Sequence, residues 1–521
     1  MPQIQITADS RTEGNLQMGS LAKAKRLTRW QLGRNREYRM LKFCTTLTGF
    51  LLGVALLLLL FQASDQVWSF RNLSFSYLAF TFVLSLATCW RVRGEVIREN
   101  DLSRLSRNLG LVFVILGLFG NFFLQLAGFY LLDRHHRLEC QLAIYAFVAN
   151  WMVFLISLLN LFKEYVSNQF FLGLGLNLVM AIILLVMVLL TSSNCMYRTE
   201  RIHPLLFVAA LVTLAITLSG NLFALMASLV IISKYRRPES EIEPQWIEVI
   251  SRLFRNNMCM IGLLYVTFLI IMSILSKFTF EPSLAEENNY LALFIKPCLE
   301  YPFGTDSFGR DIFTRVVLGA QISLVVGFWS TMIPAFAGGL LGAMAGYFGG
   351  RFDNTTMRML DILYAVPGML LAITVVAAFG TSTFNLVMAL SLSGIPGYAR
   401  IVRGSVLTVA NNEFVEAAKA CGAKNLRIIT KHIIPNALAP VIVTMTMGIG
   451  TAVLSTSALS YLGLGVEPHV PEWGNILKIG SAYLEQQPYL AVIPGVAIIL
   501  ILLAFNFFGD GLRDALDPKL K

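Results

Sequence analysis

Glu416-Ala417-Ala418-Lys419-Ala420-Cys421-Gly422, continued by His432-Ile433-Ile434-Pro435-Asn436, lies between two strongly apolar segments of a 521-residue chain. An acid-Ala-Ala run, a Gly four residues on and a Pro thirteen residues after that Gly suit two short helices with a bend. Small Ala side chains let another protein approach the backbone, and Gly422 frees the chain to turn. Asn411 and Asn412 are placed to cap the first helix, and Glu413 and Glu416 complement its dipole. The pattern describes a rigid peg that a membrane protein offers to a soluble partner.

Working outward, the whole chain reads as membrane. It is 56% hydrophobic and 14% charged, with a mean hydropathy of +0.66; soluble domains carry about 25% charged residues. The fold class expected is an all-α polytopic membrane protein. Twelve apolar windows are candidate spans: 46–63, 74–90, 109–132, 141–162, 170–191, 204–233, 257–275, 322–348, 361–380, 382–399, 440–460 and 488–508. The windows at 204–233 and 322–348 are long enough to tilt. A basic arm precedes the first window, with no cleavage site in a convincing position after it.

The net charge of +10 is explained by orientation. Basic residues gather in the amino-terminal arm, after the second window, between the halves and in the docking loop (Arg400, Arg403, Lys419, Lys424, Arg427, Lys431). With twelve spans all of these fall on the side of the amino terminus, which the positive-inside rule makes cytoplasmic, as are both termini. Arg134, Arg137, Arg198 and Arg201 are exceptions to the pattern. A nucleic-acid surface would need a folded basic face with interleaved aromatics, so no nucleic-acid partner is expected. A charge-rich run near 236–241, followed by an amphipathic stretch at 246–255, divides residues 1–240 from residues 241–521. The two halves are not repeats of each other.

Residues from about 244 onward resemble the C-type permease subunit of bacterial dipeptide, oligopeptide and nickel ABC importers. The likeness rests on four stretches in order. Pro302-Phe303-Gly304-Thr305-Asp306-Ser307-Phe308-Gly309-Arg310-Asp311 comes first. Tyr398-Ala399-Arg400-Ile401-Val402-Arg403-Gly404 then leads into the loop of 400–438. Ser460-Tyr461-Leu462-Gly463-Leu464-Gly465 with Trp473-Gly474 is third, and Phe508-Gly509-Asp510-Gly511 through Pro518 closes the chain. The resemblance implies a type I importer permease fold for the last six spans, in a bacterial inner membrane. It implies a second, homologous permease, two ATPase subunits and an extracytoplasmic substrate-binding protein as partners. ATP and Mg would be bound on those ATPases, and no cofactor by this chain. Glu416, Ala417, Ala418, Gly422, His432, Pro435 and Asn436 would form the helix that couples to one ATPase. The six spans of residues 1–240 stand outside the resemblance, and their role is open between bracing the permease, binding lipid and holding a membrane partner.

The residues agree by what they lack. No phosphate-loop pattern occurs, so the chain is expected to be a transport subunit and not an enzyme. The windows carry no ionisable group except Asp361 at a boundary, which counts against a proton-driven carrier. An ion-coupled twelve-span carrier, a membrane receptor and an importer of nickel or another small solute are the rival readings. Gly338, Gly342, Gly346 and Gly350 stand four apart and are read as helix packing ahead of substrate contact. Pro334, Pro367 and Pro396 are candidate kinks near the path. Asp306, Arg310 and Asp311 are read as a structural ion pair on an external interfacial helix. His432 beside Lys431 is read as a partner contact or a solvated residue, with no metal site. Cys140 and Cys195 fall on the expected outer side and are disulfide candidates, with reduced thiols the default. Asn121, Asn150, Asn160, Asn177 and Asn221 are read as interhelical hydrogen-bonders.

Overall fold

In a computed structural model the chain is described over residues 32–33, 35–61, 68–98, 102–133, 135–163, 166–193, 197–198, 201–236 and 245–517. The arm before residue 32, Arg34, Arg134, Cys195, the run at 237–244 and Pro518 lie outside the described residues. These residues are overwhelmingly helical, and the one sheet among them pairs Tyr197–Arg198 with Arg201–Ile202. Among the described residues, eight helices are long and apolar enough to cross a membrane: Arg36–Leu56, Asn72–Arg98, Leu138–Phe162, Phe170–Ser192, Asn257–Thr279, Ile312–Phe348, Asn425–Leu462 and Tyr489–Leu516. Gly350–Ala365 and Gly368–Phe379, bent by 79°, make a ninth if taken as one span. Helix Thr383–Ala410 is 28 residues long but more polar.

Among the described residues the count of twelve is not reproduced, and the reason is local. Windows 109–132 and 204–233 do not run straight; each folds back as a helical hairpin. In the first, Arg104–Gly117 and Phe122–Leu132 pack antiparallel, so that a Cβ on Gly117 would lie 2.5 Å from that of Gln125 and one on Gly110 would lie 2.9 Å from the Gly128 carbonyl. In the second, Pro204–Ile216 and Leu222–Arg236 pack the same way, with Thr213 and Ser228 hydroxyls 2.7 Å apart and the Phe207 and Tyr235 rings stacked at 4.4 Å. Gly120 (φ 111°) and Gly220 (φ 85°) turn the chain. Asn121 then accepts from the Leu124 amide and Asn221 from the Ala224 amide, which starts each return arm. Arms of this length rise about 16–22 Å, short of a bilayer core of about 30 Å.

Side-chain contacts check which segments share an end. His136 Nε2 lies 3.0 Å from Glu37 Oε1, so the stretch before Leu138 sits with the start of helix Arg36–Phe61. At the far end of helix Leu138–Leu158, Lys163 pairs with Asp311, so that turn sits with segment 280–311. A straight span at 109–132 would separate His136 from Glu37, and a straight span at 204–233 would separate Lys163 from Asp311. Cys140 is a buried thiol near the start of helix Leu138–Leu158, and its disulfide candidate Cys195 lies outside the described residues.

By contacts the chain separates into two compact units, Met1–Met152 with Val188–Cys195, and Val153–Met187 with Met196–Lys521. In the first, helix Phe122–Leu132 packs on Arg36–Phe61, and Asn121 donates to Thr81 (3.1 Å). In the second, Ile312–Phe348 and Thr383–Ala410 form the most extensive pair, flanked by Ile434–Leu462 and Tyr489–Leu516. Helix Asn257–Thr279 lies along Tyr489–Leu516, where a Cβ on Gly262 would lie 2.5 Å from the Ala504 carbonyl and one on Gly511 would lie 2.3 Å from Cys259 Sγ. The amphipathic helix Gln245–Leu253 buries Ile247 and Leu253; Leu253 packs with Cys259 and Ala515.

Candidate functional site

The loop between Thr383–Ala410 and Ile434–Leu462 is built from the inside out. Val415, Ile428, Ile433 and Ala437 are buried with Ala343, Val402, Val406, Val409 and Val441 in one apolar cluster. Burying a Val or Ile of this kind is worth about 1.5–3 kcal/mol, which anchors the loop from beneath. Helix Glu413–Ala420 therefore faces outward with Glu413, Phe414, Glu416, Ala417 and Ala420 exposed, while Ala418 is partly covered. Asn412 holds the N-cap position without a capping side-chain bond, and Asn411 ends the preceding helix. So neither Asn caps through its side chain; Glu413 and Glu416 in the first turn remain to complement the dipole.

Gly422 ends this helix at φ 77°, with the Gly422 amide bonded to the Lys419 carbonyl and the Ala423 amide to the Ala418 carbonyl. That paired pattern is a Schellman turn, which needs a left-handed residue at this place. Nothing lies within 4 Å of a Cβ built on Gly422, so conformation alone demands the glycine. The second helix of the loop is not separate. Asn425–Ile428 passes through a π turn at Ile429–Ile433 into Ile434–Leu462, with Pro435 in the first turn. His432 is half-buried, and its carbonyl accepts from Asn436 Nδ2 at 2.7 Å.

Neighbouring helices brace the loop. Tyr347 Oη bonds Asn425 Oδ1 at 2.9 Å, and Lys419 Nζ lies 5.6 Å from the centre of the Tyr347 ring. Arg403 grips Asp353 through two bonds of 2.6 and 2.5 Å, and Arg400 meets Asp361 at 2.6 Å while stacking on Tyr364. These pairs hold helix Gly350–Ala365 against the end of Thr383–Ala410. The sequence offered Arg400 and Arg403 as basic residues within the family-like stretch; their partners, about 40–50 positions away, carry no local signal.

Gly338, Gly342 and Gly346 face helix Thr383–Ala410: a Cβ on each would lie 2.4 Å, 2.2 Å and 3.0 Å from the carbonyls of Ile395, Ala399 and Arg403. Gly350 is not on that face; it begins the next helix at φ 56°. Pro367 stands at the 79° break, and Pro334 and Pro396 lie inside their helices.

Asp306 and Arg310 form a buried pair (2.8 Å), with Asp306 also accepting from the Phe308 and Arg310 amides. They sit in a turn and not on an interfacial helix, and Asp311 belongs to a different pair, with Lys163. The Trp473-Gly474 stretch is packing of the same kind. Trp473 is buried and donates to the Val316 carbonyl at 2.9 Å. Glu472 caps its helix through the Gly474 and Asn475 amides and accepts from Ser457. Burial pushes the Glu472 carboxyl above the usual range, against the pull of hydrogen bonds from Ser460, Ser457, Asn475 and Gly474.

An exposed helix on a buried apolar base, joining two long helices, places the chain in the class of multi-helix membrane proteins with a structured connecting loop. Residues 338–521 match the binding-protein-dependent transport system inner membrane component, and residues 244–297 match the N-terminal TM domain of oligopeptide transport permease C. The dipeptide transport system permease protein DppC of Alkalihalophilus pseudofirmus is 44% identical over 276 residues, 53% of this chain and 90% of that protein. The glutathione transport system permease protein GsiD of Escherichia coli is 43% identical over 281 residues, 54% of this chain and 93% of that one. An inward-facing structure of the MetNI methionine ABC transporter aligns at 20% identity and a TM-score of 0.33, covering 39% of this chain and 96% of that one. The chain belongs to the family of binding-protein-dependent inner-membrane permeases, as a C-type subunit, and is a multi-pass inner-membrane protein. The matched 276 residues are nine-tenths of the dipeptide permease, so residues 1–240 have no room for a counterpart there.

Proposed function

We propose that this chain is the permease subunit of an ATP-driven importer of di- or oligopeptides, coupling ATP hydrolysis on partner subunits to inward movement of substrate. The relatives' substrates, a dipeptide and glutathione, support the peptide class. A second, homologous permease completes the path, an extracytoplasmic binding protein delivers substrate, and two ATPases hold ATP and Mg. The observation that carries the reading is the exposed face of Glu416, Ala417 and Ala420 ended by Gly422 and anchored by the buried cluster beneath. A surface of small side chains on a fixed base transmits a push without yielding.

The end bearing this loop is taken as cytoplasmic, with both termini. Within the second unit, the hairpin Pro204–Arg236 opens towards it, so residues 201–203 join that side. Arg198 and Arg201 then obey the positive-inside rule. Among the described residues of the second unit, Lys163, Lys296, Arg310 and Lys478 are the basic residues of the opposite connecting segments (159–163, 166–169, 280–311, 380–382 and 463–488).

Gly422→Val and Glu416→Lys test the loop. Each is expected to leave insertion intact and to cut ATP-dependent peptide uptake by at least about tenfold, equivalent to about 1.4 kcal/mol. Normal uptake by both variants in membrane vesicles contradicts the assignment.

A further inference from the structure

The turn after helix Leu138–Leu158 reaches the ends of two helices of the family-matched half. Asn160 Nδ2 donates to the Thr279 carbonyl at 2.7 Å, satisfying an orphan acceptor at the end of Asn257–Thr279. Ser157 Oγ lies 3.4 Å from Thr279 Oγ1. Three residues on, Lys163 Nζ bonds Asp311 and, at 2.6 Å, Thr314 Oγ1. Asp311 is at the same time the N-cap of Ile312–Phe348, accepting from the Phe313 and Thr314 amides at 3.1 and 3.0 Å. The Lys163 ammonium sits 5.4 Å from the Phe313 ring centre and 5.8 Å from that of Phe280. Both charges are buried, at 3% and 0% side-chain exposure.

A buried ion pair adds little net stability, because desolvation offsets the attraction, but losing one partner is costly. Its effect is to fix which groups meet. Here it fixes the start of a 37-residue helix, about 55 Å long, whose other end bonds the docking loop through Tyr347 and Asn425. The matched length is nine-tenths of the dipeptide permease, so the extension of residues 1–240 that supplies Lys163 has no full counterpart there.

We propose that the turn Leu159–Lys163 is a latch built into this chain. It ties the end of helix Asn257–Thr279 to the start of helix Ile312–Phe348. Lys163 is a positioning residue that acts through Asp311 to hold the far end of the helix connected to the docking loop. The latch itself stands on geometry; its effect on ATPase coupling rests on the function proposed above.

The test uses the full-length chain carrying spin labels at Asn168 and Asn288, both exposed, in three forms: native, Lys163→Met and Lys163→Met with Asp311→Asn. The double variant leaves no orphaned buried charge, so it separates latch loss from misfolding. Pulsed electron-spin distance measurements are expected to give one narrow distribution for the native chain and a broadened one for the folded double variant. With the copurified ATPases, the double variant is expected to show a several-fold rise in basal ATP hydrolysis and a smaller stimulation by binding protein and peptide. An unchanged distance distribution overturns the latch. A broadened distribution with unchanged basal and stimulated hydrolysis overturns its role in coupling. Failure to recover any ATPase overturns the function proposed above and the coupling role with it, while the distances still decide the latch.

Discussion

Glycine acts in two physically different ways in this chain. At Gly422 the requirement is a left-handed backbone with open space around it, so a side chain costs conformational energy only, about 1–2 kcal/mol. At Gly342 the backbone is ordinary but a Cβ would sit 2.2 Å from the Ala399 carbonyl. Neither helix backbone can yield there without separating, whereas ordinary overpacking costs about 1–3 kcal/mol. Gly342→Leu is therefore expected to lose folded, monodisperse protein on size-exclusion chromatography, unlike Gly422→Val. Equal yields of the two variants would contradict the close packing of these helices. The spacing of Gly338, Gly342 and Gly346 made this face legible in the sequence. Lys163 was not legible: its partner is 148 positions away and no motif surrounds it.

At the scale of elements, hydropathy alone could not separate a straight span from a folded hairpin, because both bury apolar residues over the same window. The discriminating signal was present at the tips. Leu118-Phe119-Gly120-Asn121 and Leu218-Ser219-Gly220-Asn221 stand one hundred residues apart, each joining a turn glycine to a helix-capping asparagine. The same pattern of two long helices and a hairpin thus occurs twice before residue 240. The docking loop was legible because its turn chemistry is local; its merging into Ile434–Leu462 through a π turn was not. With the amino terminus inside, as proposed, a hairpin at 109–132 would reverse the expected sides of the segments on either side of helix Leu138–Leu158, and that can be measured. In a cysteine-free background, His135→Cys is expected to resist a membrane-impermeant thiol reagent in spheroplasts, whereas Asn168→Cys is labelled. The reverse pattern would restore the straight span at 109–132.

For the whole molecule, the family half was readable from four ordered stretches, and the structure gives each a packing reason: turn, docking loop, helix cap and close helix contact. The first 240 residues carry no such stretches, and their link to the other half became visible only through buried contacts such as Asn160 with Thr279. The central claim is that the Glu416 face meets an ATPase. The most direct measurement is photo-crosslinking from position 417 in native-host membranes, followed by purification through a tag on this chain and mass spectrometry. A crosslink to an ATP-binding subunit is expected, with a second permease in the same preparation. Recovery of the chain with no protein joined at position 417, under conditions where other importer complexes stay together, would contradict it.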